Sequence, residues 1–266
     1  MRVVILTCTL SGSASIYIPH LVAEPEIEIA MIVYGKRILD PWKLIKSKSK
    51  KVMKIGILGF LNGVRIQAWE REGVPKQRID IQAREFGIRF EETPAINSEE
   101  TINLLTEAGA DLGLSLGNVY IEQRVFSIPK YGTINIHSEV LPQFRGAPSV
   151  IWQIYEGSCE TGYAIHQIDH RIDHGNILYQ EKIPIELKPT LRQTVSHNSE
   201  RLVRLSALQL VNVVKNYPEF AAKSKPQGQG RYFTTPTLRQ YLQIVRQHRR
   251  LYQLHIKEYN ETAGLQ

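Results

Sequence analysis

The chain has 266 residues, 42% of them hydrophobic and 22% charged, which suits one large domain or a domain with a small appendage and excludes global disorder. Two cysteines, Cys8 and Cys159, are too few for a disulfide framework or a structural zinc site and fit a reducing compartment. The formal net charge of +7 favours anionic partners such as phosphates, nucleotides, RNA or an acidic membrane surface, although no nucleic-acid recognition motif accompanies it.

In chain order, "RVVILT" (2–7) reads as a strand, "LSGSAS" as a small-residue turn, "IYIPHLVAE" as a helix and "IEIAMIVYG" (27–35) as a second strand. Strand, helix, strand is a βαβ opening and implies a parallel sheet. The first ten residues lack the long apolar core and cleavage site of a secretory signal. The longest apolar run, "VMKIGILGFLNGV" (52–64), falls short of the roughly 20 residues that span a bilayer. The expectation is a soluble, cytoplasmic protein without a transmembrane segment. "KLIKSKSKKVMK" reads as a lysine-rich loop at 46–54 leading into a helix, or as a patch for phosphate or a membrane surface.

"NSEETINLLTEAGADLGLSLG" is a clear local unit. Ser98 is placed as the N-cap, Glu99 and Glu100 suit a helix start, and Gly109 ends the helix before a buried strand at 111–117. "GTINIH" (132–137) is the next strand, and "SVIWQIYEG" (149–157) a helix. "TGYAIHQID" (161–169) alternates, with Tyr163, Ile165, Gln167 and Asp169 on one face, and "NILYQEKIPIEL" (176–187) is a second extended run. Residues 190–218 carry helical apolar spacing and close at Pro218, and the tail after 223 holds a basic amphipathic helix.

Three histidines, His166, His170 and His174, recur at even spacing around Asp169 and Asp173. Histidines four apart converge on a metal only on a helix. Here the run starts in a strand and crosses a turn, so no metal site is expected. His166 reads as a strand residue facing its own sheet. Upstream, Asn135 and His137 lie two apart on a strand and so emerge on one face. Asparagine offers a neutral N–H donor, histidine transfers protons near neutrality, and a nearby carboxylate orients an imidazole and favours its charged form. With no activated serine or cysteine in view, an Asn, His and Asp set suits a reaction whose nucleophile arrives with the substrate and whose oxyanion must be stabilised.

"INIHSEVLPQFRGAPS" (134–149) resembles the first signature of the folate-dependent formyltransferases, N-x-H-P-S-L-L-P followed by a Gly-containing loop. "ETGYAIHQIDHRIDHGNILYQEKIPI" (160–185) resembles the second, a strand leading to an aspartate before Gly, and "ADLGLSLGNVYIEQRVFSIPKYG" (110–132) resembles the strand and loop before the first. The resemblance covers residues 85–187. It implies an α/β fold, a Rossmann-like parallel or mixed sheet flanked by helices, with residues 1–188 as the catalytic domain and 189–266 as a short helical C-terminal extension.

The resemblance implies catalytic roles for Asn135, His137 and Asp173. It puts Val119, Tyr120 and Ile121 on one wall of the folate pocket and Asp169, His170 and Arg171 on the other. Gly12, Ser13 and Arg145 fall near the acceptor. Ser138 and Glu139 replace the Pro and Ser of the first signature, which implies a changed loop and an added negative charge near the site. The implied co-substrate is 10-formyltetrahydrofolate, with no metal, and the implied acceptor is a primary amine on a phosphate-bearing small molecule. A nucleotide-linked amino sugar ranks first, because the tail reads as helical where a methionyl-tRNA enzyme is expected to carry a longer β-rich domain. Methionyl-tRNA ranks second. Hydrolysis of the formyl folate ranks lower, because the first strand begins at Arg2 with no regulatory domain before it, and a non-catalytic binding module of the same fold is the remaining alternative.

Overall fold

The computed structural model describes residues 1–36, 41–74, 77–146 and 150–263. β1 (Arg2–Thr7), α1 (Ala14–Val22) and β2 (Glu28–Gly35) form the expected βαβ unit, with β1 and β2 parallel. Then follow α2 (Pro41–Glu72), α3 (Ile79–Glu85), β3 (Phe90–Thr93), α4 (Glu99–Ala108), β4 (Leu112–Ser115), α5 (Gln123–Phe126) and β5 (Thr133–His137). The chain continues through β6 (Phe144–Arg145), α6 (Ile151–Tyr155), β7 (Glu160–Gln167) and β8 (Ile177–Pro184), and closes with α7 (Leu191–Lys215), α8 (Tyr217–Lys223), β9 (Arg231–Tyr232) and α9 (Leu238–Ala263).

Seven strands form one sheet in the order β3-β2-β1-β4-β5-β7-β8. The first five are mutually parallel, whereas β7 runs antiparallel to both β5 and β8. β1 is apolar on both faces because both of its faces are covered, as a parallel sheet requires. Val3 and Ile5 pack towards α1 and α7, with Leu21, Val203 and Leu210. Val4 and Leu6 point the other way, onto Leu105, Val125 and Phe126 of α4 and α5. A third core beyond the sheet joins Ile66 and Trp69 of α2 to Trp152, Tyr163, Leu202, Ile244 and Leu251. Chain direction across the sheet reverses at β1, between β2 and β4, so a crevice opens beyond the carboxyl ends of β1 and β4, where open α/β sheets bind ligands.

Several local expectations hold for identifiable reasons. Ser98 caps α4 by accepting from the Thr101 N–H at 3.4 Å, and Gly109 ends the helix. Others change. The lysines at 46–54 lie in α2 rather than in a loop, because lysine is a good helix former and neither Pro nor Gly interrupts positions 42–55. The interruption falls at Gly56, whose φ of 76° and ψ of 162° divide α2 into two helical pieces. Pro218 does not close α7. That helix ends at Lys215, and Pro218 occupies the first turn of α8, where a missing N–H is harmless. The helix expected at 149–157 is the shorter α6, and its first residue, Ser149, lies outside the described residues. Asp169 lies past the end of β7 and so does not continue that strand's face.

Candidate functional site

Four chain segments meet at the crevice. The turn after β1 brings Ser13, and the loop after β4 brings Gly117, Asn118, Val119, Tyr120 and Ile121. The end of β5 brings Asn135 and His137, and the end of β7 with its following loop brings His166, Ile168, Asp169, Arg171, Ile172 and Asp173. Together they border a cavity of about 490 Å³. The strand register explains its floor. β5 and β7 pair antiparallel with Asn135 directly opposite His166, so the two side chains are cross-strand neighbours on one face.

The Asn135 amide donates to His166 Nε2 at 3.3 Å. The other ring nitrogen, Nδ1, lies 2.8 Å from the Gln167 carbonyl oxygen, which only a protonated nitrogen can approach as a donor. His166 is therefore anchored with its proton on Nδ1 and its Nε2 lone pair towards Asn135. Burial pushes its pKa down to about 4, against the opposing pull of Asp173, so the ring is neutral near pH 7. His137 is held in a similar way, with Nε2 donating to the Phe144 carbonyl at 2.9 Å and Nδ1 turned towards Asp173.

The carboxylate of Asp173 sits between the two imidazoles. One oxygen is 3.8 Å from His137 Nδ1 and the other 3.8 Å from His166 Nε2. The first of these also accepts from the Gly146 N–H at 3.1 Å. Asp173 has φ of 52°, a left-handed conformation that aspartate tolerates better than most residues. The loop is pressed against the end of β7 at Gly175, where a Cβ would lie 1.9 Å from the Gln167 carbonyl oxygen. Only glycine fits there, and that close approach turns the chain back so that Asp173 reaches the cavity floor.

Asn135, His137 and Asp173 thus converge on one cavity, and His166, expected to be a structural strand residue, joins them. Its alternation in β7 was legible. Its pairing opposite Asn135 was not, because cross-strand register depends on two distant segments.

The remaining expected residues divide. Val119, Tyr120 and Ile121 form one wall, with Val119 and Tyr120 half-exposed at the rim. Asp169 and Arg171 form part of the opposite wall. The Asp169 carboxylate accepts from the Arg171 N–H at 2.7 Å and lies 3.3 Å from His174 Nδ1, so it shapes its own loop. His170 is exposed and contributes its carbonyl, which accepts from the Tyr120 hydroxyl at 3.4 Å and ties the two walls together.

Ser13 borders the cavity, whereas Gly12 does not and uses its carbonyl to accept from Ser15. Arg145 is buried and departs from its expected place. Its guanidinium donates to Gln227 and to the Gly228 carbonyl, lies over the Tyr232 ring, and borders a separate opening with Arg171 and His174. Glu139 also corrects an expectation. It is fully buried, accepts from the Val150 N–H at 3.0 Å and from Gln153, and burial raises its pKa well above the carboxylate range. It supports the start of α6 and adds no charge to the cavity.

Asn118 was not anticipated. Its amide donates to the Leu6 carbonyl at 2.6 Å and to Ser115 at 3.0 Å, and its buried oxygen has no hydrogen-bond partner. An acceptor left open beside the cavity suits an incoming N–H or O–H group. Among the described residues, no group of three or more His, Cys, Asp or Glu is placed to hold a metal ion.

The family model described as "Formyl transferase" matches residues 64–208, more than half of the chain and all of the cavity floor. The methionyl-tRNA formyltransferase of Porphyromonas gingivalis is 31% identical over 156 residues, 59% of this chain and 47% of that protein. The GDP-perosamine N-formyltransferase of Brucella melitensis is 38% identical over 95 residues, 35% of this chain and 37% of that protein. The chain therefore spans less than half the length of either curated relative. A sugar 3N-formyl transferase solved in the presence of dTDP and 5-N-formyl-THF shares the fold, with a TM-score of 0.53 at 17% identity over 88% of this chain and 69% of that one.

Proposed function

We infer, from the premise that this chain belongs to the formyl transferase family, that it moves a formyl group from 10-formyltetrahydrofolate to a primary amine. The observation that carries this reading is the convergence of Asn135, His137 and Asp173 on one cavity floor, with Asp173 3.8 Å from the His137 ring. The pterin of the folate fits between the wall of Val119, Tyr120 and Ile121 and the wall of Ile168, Asp169 and Arg171, with the open Asn118 oxygen as an acceptor for a ring N–H.

The amine nitrogen attacks the formyl carbon, and the carbonyl electron pair moves onto oxygen. The second N–H of Asn135, not used on His166, donates to that oxyanion. One such donor lowers a barrier by about 3 kcal/mol. Neutral His166 keeps the Asn135 amide turned so that this N–H faces the cavity. Asp173 takes a proton from the attacking nitrogen and hands it to Nδ1 of His137, which passes it to the folate nitrogen as the carbon–nitrogen bond to folate breaks, so both residues return to their starting states. The products are a formamide and tetrahydrofolate.

For the acceptor, we favour the amine of a nucleotide-linked amino sugar. The likeness to a GDP-perosamine N-formyltransferase supports it, as does the fold shared with a sugar 3N-formyl transferase solved with dTDP. Methionyl-tRNA is the second reading, supported by the longer stretch shared with a methionyl-tRNA formyltransferase. A cytoplasmic setting follows from either acceptor. The test is incubation of the purified chain with 10-formyltetrahydrofolate and a panel of amines: GDP- and dTDP-linked amino sugars, glycinamide ribonucleotide, methionyl-tRNA, and buffer alone. Tetrahydrofolate release with an amino-sugar nucleotide supports the reading. Equal release in buffer alone would make the chain a hydrolase, and no release with any amine would overturn formyl transfer.

A further inference from the structure

We propose that the outer face of α2 docks onto an anionic lipid bilayer. A helix normally buries one face and wets the other. α2 is apolar on both. Its inner face is satisfied: Ile66 is fully buried, Ile55 and Trp69 nearly so, and the backbone at Gly63 approaches Thr235 so closely that a Cβ would lie 2.2 Å from its methyl. Before the break at Gly56, Trp42 (80% exposed), Ile45 and Met53 (85%) are exposed to solvent, and after it so are Ile57 (67%), Leu58, Leu61 and Val64. Seven of the 19 exposed large apolar side chains among the described residues fall within these 23 positions. A cluster of that kind marks an interaction surface.

Charge selects the partner. Residues 41–69 hold six lysines, one arginine and no Asp or Glu, a net +7 equal to that of the whole chain, so the other 237 residues balance. Lys46, Lys48, Lys50, Lys51 and Lys54 form a run that holds Met53 and is flanked by Trp42 and Ile45 on one side and by Ile57, Leu58, Leu61 and Val64 on the other. Protein interfaces are depleted in lysine, and a nucleic-acid backbone gains nothing from Met53, Ile57 or Leu61. Exposed apolar side chains, a tryptophan and an adjoining run of lysines match the boundary between acyl chains and acidic headgroups. No helix among the described residues is long and apolar enough to cross a membrane, so the contact lies along the surface. Lys50, Lys51 and Lys54 also border a cavity shared with Gly146, whose N–H holds Asp173, so docking would bring the catalytic floor to the bilayer.

Co-sedimentation of the full chain with vesicles tests this directly. With phosphatidylcholine vesicles containing 30% phosphatidylserine at 0.1 M salt, we expect the protein in the pellet. Binding should fall about tenfold on pure phosphatidylcholine, at 0.5 M salt, or on replacing Ile57→Asp together with Leu61→Asp. Circular dichroism melts check that the variant folds, and the salt and lipid titrations of the unaltered chain stand without it. Protein left in the supernatant with acidic vesicles overturns the proposal. So does binding to the two vesicle types with equal affinity, or a dimer seen by light scattering that dissociates in a folded Ile57→Asp and Leu61→Asp variant, since a second copy would then cover the face.

Discussion

The cavity floor and the outer face of α2 depart from the usual distribution of polarity in opposite directions. At the cavity, polar and titratable groups are buried or half-buried, and Asn135, His137, His166 and Asp173 each have an oriented hydrogen bond. On α2, apolar groups are exposed, from Trp42 to Val64. Burying a polar group is tolerable only when its bonds are made, so the cavity is rigid and its geometry specific. Exposing an apolar group strains nothing inside the fold. It leaves a surface whose energy is recovered only when something covers it. Damage to the first region should therefore appear in rate and pH response, and damage to the second in association alone.

The largest expected effect is Asp173→Asn. Removing the proposed proton acceptor while keeping its shape should lower formyl transfer about a thousandfold, measured as kcat for tetrahydrofolate release. Unchanged turnover would break the assignment of Asp173 and with it the sense in which the cavity is catalytic. Asn135→Ala deletes the proposed oxyanion donor and should lower kcat about a hundredfold with a smaller change in KM. A loss confined to KM would make Asn135 a binding residue.

His166 sharpens the comparison through pH. Its folded pKa of about 4 lies below the ordinary 6.5, so between these values the unfolded chain binds a proton that the folded chain does not. Stability contributed by the neutral buried ring is whole above pH 6.5 and is lost as pH falls towards 4, by roughly 3 kcal/mol in total. Denaturant melts across that range should show the slope, and His166→Gln should flatten it. A wild-type stability independent of pH there would mean that the ring is not held neutral. The smallest effect belongs to the other region. Met53→Glu, at an exposed position, should change folding stability by less than about 0.5 kcal/mol, while a cost above 2 kcal/mol would show that Met53 is part of the core.

The parts of the fold that were legible are those whose causes are local. The βαβ opening, the Ser98 cap, the buried strand at β4 and the basic final helix all follow from periodicity and end signals within one segment. β3, with Phe90 followed by two glutamates and a threonine, and the two-residue pair β6 and β9 carry no apolar pattern of their own and exist by pairing with distant partners. The charge of the lysine run suggests a loop, whereas its lack of Pro and Gly permits the helix it forms.

The site shows the same division. Asn135 and His137 share a face through the two-residue repeat of a strand, which one segment determines alone. Asp173 was placed by likeness to known signatures, and its approach to the His137 ring depends on the tight return at Gly175, which no spacing encodes. Arg145 and Glu139 sit in a charged-looking loop, yet their surroundings turn the one towards Gln227 and bury the other beneath α6. His166 reads as one more histidine in a strand until antiparallel pairing sets it opposite Asn135. The amino-acid order by itself determined the identities and local faces of the chemical groups. Only tertiary structure decided which of them meet, which are held neutral and which apolar side chains remain uncovered, because burial and hydrogen-bond partners are properties of packed segments far apart along the chain.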